Sequence, residues 1–436
     1  MRTYYSKKAA TSIIIANMIG TGVFTSIGFQ LLDIQSIFLL LLLWAIGGIA
    51  ALCGAATYAE LGAALPRSGG EYNFLGRIYH PLAGFISGWI STIIGFAAPI
   101  AAVALAFSDY STAIIFGSQP IWIKKIIACL LVITITLIHV KNKDISSKFQ
   151  IAFTSIKILL IISFCFCAFT ITPEPQSISF LPQKGDLSIF TSTAFGISLI
   201  YVSYAYTGWN AAVYITSELE RPQKELPKIL ISGTAIVMAL YLLLNLAFLY
   251  TSPIAELEGK IEIGYITATN IFGENGAVVV GMMLCLLLVS TISAMIIAGP
   301  RALQAIGEDF NSLGFLSRVN NSDIPKNAIF FQSIVALIYI LTSSFETIII
   351  FAGMILALNS FLAILGVFIL RKKEPDLNRP YRTFGYPFVP AFYLIITFTM
   401  IVMAAINEPL NALGSAAIIV VGVFFYKYFE SSNNIK

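Results

Sequence analysis

The chain has 436 residues, of which 58% are hydrophobic and only 11% charged, with a formal net charge of +4. Ordinary soluble domains carry roughly 25% charged residues, and no globular core can hide this much apolar surface, so a soluble fold is excluded. The small positive balance, with no basic, aromatic-interleaved patch, gives no reason to expect a nucleic-acid partner.

About 20 helical residues cross a hydrocarbon layer roughly 30 Å thick. Uncharged runs of that length predict an all-α membrane protein of about twelve transmembrane helices. They lie near 9–29, 37–62, 83–107, 121–140, 149–171, 190–216, 228–251, 277–300, 328–345, 347–370, 388–406 and 410–428. The runs are continuously apolar rather than alternating, which selects helices over a barrel. The first run follows a basic start, but it is long, contains Asn17 and precedes eleven more, so it is read as a retained helix and not a signal peptide. With the amino terminus inside, 21 of the 26 Lys and Arg residues fall on the cytoplasmic side, among them Arg67, Lys143, Arg301 and Arg371. Lys124, Lys125, Lys184 and Lys260 fall outside. This bias predicts an even number of helices with both termini cytoplasmic. Polar connections near 172–189, 252–276, 301–327 and 371–387 are too short for a soluble domain, so residues 1–436 form one membrane domain.

In the first run, Ile19-Gly20-Thr21-Gly22-Val23-Phe24 places two glycines around a threonine at mid-depth. A helix break there frees N–H groups at the start of an outer half-helix, whose positive dipole end suits a carboxylate. Close helix packing through small residues explains the same pattern equally well. In the second run, Glu60 lies at the cytoplasmic end, and no carboxylate occupies the middle of any run. In the fifth, Lys157 is the one basic residue deep in a span, where a charge costs about 3 kcal/mol on insertion scales. Either it snorkels to the interface, or its ammonium meets carbonyls exposed by a broken first helix. The sixth run contains Tyr204-Ala205-Tyr206-Thr207-Gly208-Trp209-Asn210. Gly208 and Asn210 are poor choices for a buried helix middle, and unwinding there turns carbonyl oxygens toward a cavity, where an ammonium group is a suitable partner. Tyr204, Tyr206 and Trp209 are placed either to close over a ligand or to pack. Breaks in the first and sixth runs suit a pair of five-helix inverted repeats, about 9–171 and 190–370, followed by two extra helices at about 388–428.

Cys53, Cys129, Cys165, Cys167 and Cys285 lie in or at the ends of apolar runs without a C-x-x-C pair, and read as small packing residues. His80 and His139 lack matching second ligands, so neither a metal nor another cofactor is expected. Paired intramembrane carboxylates and activated nucleophile pairs are also absent from the pattern, which argues against an enzyme.

Four segments in order resemble the amino acid-polyamine-organocation permeases, and within them the bacterial and L-type amino acid transporters. They are Gly20 to Phe24; Tyr58-Ala59-Glu60-Leu61-Gly62 with Pro66 to Tyr72; Tyr206 to Asn210 with Glu218 and Pro222 to Pro227; and Pro375 to Pro390. The resemblance implies a leucine-transporter-type fold. It implies a substrate α-carboxylate at the amides around Thr21, Gly22 and Val23, beside Gly20. The α-amino group would meet carbonyls near Met18, Ile19, Tyr204, Ala205 and Thr207. Tyr204 matches the aromatic gate, and Lys157 matches a fifth-helix lysine that replaces a sodium ion and couples binding to helix movement. Thr207 departs from the glycine common in L-type members, which alters the pocket.

The expectation is therefore a sodium-independent secondary amino acid transporter, proton-coupled or exchanging, in a plasma membrane of bacterial inner-membrane type. Its partners are the amino acid, membrane lipid and protons. Neutral substrates are favoured, since a cationic side chain lacks a mid-membrane acidic partner. A polyamine antiporter of the same fold and a non-transporting amino acid sensor are the alternatives. Oligomeric state is not specified by the sequence.

Overall fold

The computed structural model describes residues 4–115, 119–260, 262–342, 345–407 and 409–433. The first apolar run does not fold as one helix. Ser6 caps α1 (Lys7–Met18) by accepting the Ala9 N–H at 3.2 Å, and after a break at residues 19–21 the chain resumes as α2 (Gly22–Gln30). Ser36 caps α3 (Ile37–Ala64) in the same way, through the Leu39 N–H. The connection that follows contains a helix, α4 (Glu71–Ile78). The third run comprises α5 (Pro81–Ile90), a π-helical segment Ser91–Ala97 and α6 (Ala98–Ile115). Two uninterrupted spans come next, α7 (Ile121–His139) and α8 (Lys143–Ile171).

A short α9 (Asp186–Phe190) leads into the sixth run, which is also divided: α10 (Thr193–Tyr206), an irregular turn, then a 3-10 segment Ala211–Glu218. The remaining helices are α11 (Pro222–Thr251), α12 (Ile254–Leu257), α13 (Ile263–Ala298), α14 (Pro300–Asp309), α15 (Lys326–Thr342), α16 (Phe345–Lys373), α17 (Phe388–Asn407) and α18 (Pro409–Asn433). Gly273, at φ 72°, divides α13.

Among the described residues, ten helices are long and apolar enough to cross a membrane. The expected ninth run folds as α15, 17 residues long, and residues 343–344 at its end lie outside the described residues. Connections expected to be polar loops hold α4, α9, α12, the start of α13 and α14. Of these pieces α14 is amphipathic: it buries Arg301, Ala302, Ala305 and Ile306 while Glu308 and Asp309 face outward.

The broken elements occupy the centre. Ala9, Ala10 and Ile13 to Met18 are all buried, and α1 packs against α8, α11 and α13. The periphery is the reverse. Ile126, Leu130, Ile133 and Leu137 form an exposed stripe on α7 at helical spacing, and Leu159, Phe166, Ile395, Phe398, Val420 and Phe424 continue it around the bundle. An apolar belt of this extent requires a hydrocarbon surround. Ion pairs collect at one end of the bundle. Glu60 is held by Arg371 at 2.7 Å, Asp309 by Arg67 at 2.8 Å, and Glu218 by both Arg301 and Lys143. Tyr5 adds a parallel bridge to Leu219 there.

Candidate functional site: two helix breaks around a central cavity

At the first break the Gly20 N–H turns back to Met18 O at 2.9 Å and the Phe24 N–H bonds Thr21 O at 3.0 Å. The amides of Thr21, Gly22 and Val23 stand at the start of α2, where a helix has no preceding carbonyl to offer, and Thr21 supplies no side-chain cap. At the second break, the Thr207 N–H and hydroxyl both donate to Tyr204 O and close the end of α10. Gly208 then takes φ 102°. The two breaks touch. A methyl group added at Gly22 would lie 2.9 Å from Ala205 Cα, and one at Gly208 would lie 3.1 Å from the Asn17 backbone. Glycine is thus required at both positions by close approach, and at Gly208 also by its left-handed φ.

The carbonyls freed at the breaks are mostly taken by protein donors. Tyr241, on α11, places its hydroxyl 2.6 Å from Met18 O and 2.9 Å from Ala205 O. Lys157 is fully buried; its Nζ lies 2.6 Å from Ile19 O, 3.3 Å from Ala16 O and 2.8 Å from Thr291 Oγ1. Thr291 also donates to Ile19 O at 2.8 Å. A carbonyl oxygen has two lone pairs, so Ile19 O and Tyr204 O are filled, and with the one Tyr241 proton directed to the nearer Met18 O that carbonyl is filled too, while Ala205 O keeps free acceptor capacity. The Lys157 ammonium therefore sits at the break and does not snorkel to an interface.

Lys157 ends a polar stripe on α8. Ser146, Gln150, Thr154 and Lys157 recur at spacings of four, four and three, all buried. Ser293 donates to Gln150 Oε1, so it accepts from His139 Nε2 at 2.8 Å; Ser146 then donates to His139 Nδ1 at 2.6 Å. Gln150 Nε2 passes the chain to Thr154 Oγ1 at 3.0 Å, and Thr154 donates to Ser12 O on α1 at 3.3 Å. The seam joining α8 to α1 and α13 is thus polar from Ser146 up to the cavity level, in a region where apolar contacts would be the default.

Between the breaks lies a cavity of about 80 Å³. Met18, Gly20, Thr21, Gly22, Tyr204, Ala205 and Thr207 line it, whereas Ile19 and Val23 are fully buried behind that lining. Tyr204, Thr207 and Trp209 also wall a second, smaller cavity toward Gly353 and Met400. Tyr206 does not face either of these two. It packs on Trp44 and Tyr241 and donates to Trp44 O at 3.1 Å. The opposite wall comes from the π-helical segment and α6 through Gly95, Phe96 and Pro99, and from α16 through Leu356, Asn359 and Ser360.

The one carboxylate among the lining residues was not among the expected site residues. Glu71, the first residue of α4, is 1% exposed and lines the cavity, although it follows the second run by nine residues. Tyr58 donates to its Oε1 at 2.9 Å, Asn210 donates to the same oxygen, and Tyr214 donates to Oε2. No carboxylate lies in the middle of a run, as expected, but this one from the following connection stands at the cavity, which the sequence reading did not foresee. Gly69 and Gly70, at φ 110° and 60°, turn the chain back inward so that a loop residue reaches the centre. Arg301 is a second case, read as a loop cation but 1% exposed against Glu218. Among the described residues, no group of three or more His, Cys, Asp or Glu side chains is disposed to hold a metal ion.

A family model described as amino acid permease matches residues 6–425. The chain is 28% identical to the b(0,+)-type amino acid transporter 1 of Mus musculus over 435 aligned residues, covering 96% of this chain and 86% of that protein. It is 26% identical to the large neutral amino acids transporter small subunit 2 of Mus musculus, covering 96% and 79%. It is 28% identical to the serine/threonine exchanger SteT of Bacillus subtilis, covering 92% and 91%. With a match that runs through both breaks and the helices around the cavity, the chain belongs to the amino acid permease family of the amino acid-polyamine-organocation superfamily.

Proposed function

We propose that this protein is a sodium-independent secondary transporter of amino acids that works by alternating access, as an exchanger or with protons; Glu71 in the cavity wall removes the ground on which cationic side chains were disfavoured. The observation that carries this is the pairing of unpartnered amides at Thr21, Gly22 and Val23 with a buried ammonium, Lys157, behind the same break. The amides suit an α-carboxylate, and the remaining acceptor position on Ala205 O, with the neighbouring Thr207 carbonyl, suits the α-ammonium. Met18, Ile19 and Tyr204 act by holding the breaks open and not as direct acceptors. Lys157 supplies from the protein the positive charge that a sodium ion would otherwise bring to the first break. Tyr204, between two cavities, is placed to gate one from the other.

The fold is proposed as twelve spans, counting α15 and the divided sixth run, with repeats at about 9–171 and 190–370 and two extra helices. Both termini face the cytoplasm of a plasma membrane, on the charge bias. The Bacillus subtilis relative is a serine/threonine exchanger, which supports exchange of small amino acids. Uptake of a labelled amino acid panel into sodium-free proteoliposomes tests the proposal. Saturable uptake of amino acids is expected. Competition by putrescine without competition by any amino acid would select a polyamine exchanger, and binding without flux would select a sensor.

A further inference from the structure

Glu71 is buried in the cavity wall with three donors and no cation. Tyr58 and Asn210 fill Oε1 and Tyr214 fills one position on Oε2, and Ser91 in turn donates to Tyr214 at 2.9 Å. Every one of these groups is formally neutral. Among the described residues, none of the ion pairs includes Glu71. The two oxygens of a carboxylate offer about four acceptor positions, so with three donors in place one remains, on Oε2. The donors come from α3, the sixth-run break and the 3-10 segment, which fixes the carboxylate rigidly against the cavity that also contains Gly20, Thr21 and Gly22.

Cavity size limits what reaches that position. A single water takes roughly 10–15 Å³ of such space, so a cavity of about 80 Å³ holds about five to eight water-sized groups. An amino acid of about seven heavy atoms is of this size. We propose that Glu71 is the specificity-determining residue of the cavity: it accepts a hydrogen bond from a donor on a short substrate side chain, a hydroxyl or an ammonium. This rests on the amino acid site proposed above. A donor on the substrate completes the carboxylate's shell, while an apolar side chain of equal size leaves the position unfilled and desolvated.

The test compares alanine, serine and 2,3-diaminopropionate in reconstituted transport by the full chain, reading the ratio of kcat/KM between substrates so that the fraction of active protein cancels. In the unmodified protein serine or diaminopropionate exceeds alanine by about tenfold to a hundredfold, as expected for a hydrogen bond to a charged acceptor. In Glu71→Gln that ratio falls to within about threefold of one. A serine preference assigns the hydroxyl as the donor and a diaminopropionate preference the ammonium. Glu71→Asp withdraws the carboxylate by one methylene and shifts preference from serine toward homoserine. If Glu71→Gln carries no substrate, the aspartate variant and substrate protection in a thermal-shift assay decide the matter. Unchanged ratios in both variants overturn the assignment. Absence of all amino acid flux in the unmodified protein overturns the proposed function instead.

Discussion

Replacing Lys157 by Met separates a coupling role from a packing one. The ammonium makes two bonds to α1 and the break, at Ala16 O and Ile19 O, and one to Thr291 on α13. Hydrogen bonds to a charged group contribute about 1.5–3 kcal/mol each. Burying the ammonium costs several kcal/mol, so the two terms largely offset and the Met variant, close in volume, changes stability by no more than about 2 kcal/mol. Transport is affected differently. If α1 parts from α8 in one state only, the two bonds to α1 represent about 3–6 kcal/mol of state-dependent contact. Losing even 3 kcal/mol of coupling lowers exchange about 150-fold. The assay is labelled amino acid exchange in sodium-free proteoliposomes, with thermal stability measured alongside. A folded Lys157→Met protein with unaltered exchange would refute the reasoning and leave Lys157 as a packing residue.

Gly22→Val places a branched side chain where even a methyl lies 2.9 Å from Ala205 Cα, so the breaks are forced apart and substrate protection in a thermal-shift assay disappears. Tyr241→Phe removes the hydroxyl shared by Met18 O and Ala205 O; a loss of about 1–3 kcal/mol in stability is expected by chemical or thermal melting, together with weaker substrate binding. Glu218→Gln leaves Arg301 and Lys143, 1% and 3% exposed, without their shared carboxylate. Breaking such a pair costs about 3–5 kcal/mol, read as a drop in melting temperature. By contrast Arg67→Ala, at an exposed pair with Glu308 and Asp309, changes stability by about 1 kcal/mol or less.

Much of the centre was legible because its residues are costly in lipid. Gly20 and Gly22 have no reason to interrupt an apolar helix unless packing or a break requires them, and both operate here: the chain breaks at residues 19–21, and Gly22 meets Ala205. Lys157 announced itself by its charge, though only the structure supplies Ala16 O, Ile19 O and Thr291 as its partners. Glu71 was not legible, because hydropathy treats a carboxylate beyond the end of a span as solvated. A usable signal existed in Gly69-Gly70 immediately before it, two glycines that let a loop reverse toward the protein. Its partners Tyr58, Asn210 and Tyr214 lie in other segments, and no local pattern connects them. Tyr241 was invisible for the opposite reason: a tyrosine in an apolar run carries no cost that demands explanation. Arg301 was read as a loop cation since its burial depends on Glu218, about 80 residues away in sequence.

The central claim is that a protein ammonium at the first break replaces a metal cation in carrying amino acids across the membrane. Counterflow measures it most directly: proteoliposomes loaded with unlabelled amino acid are placed in sodium-free medium containing a trace of the same amino acid labelled. The account predicts transient accumulation of label whose rate is unchanged when sodium is added. Accumulation that occurs only with sodium present would contradict it.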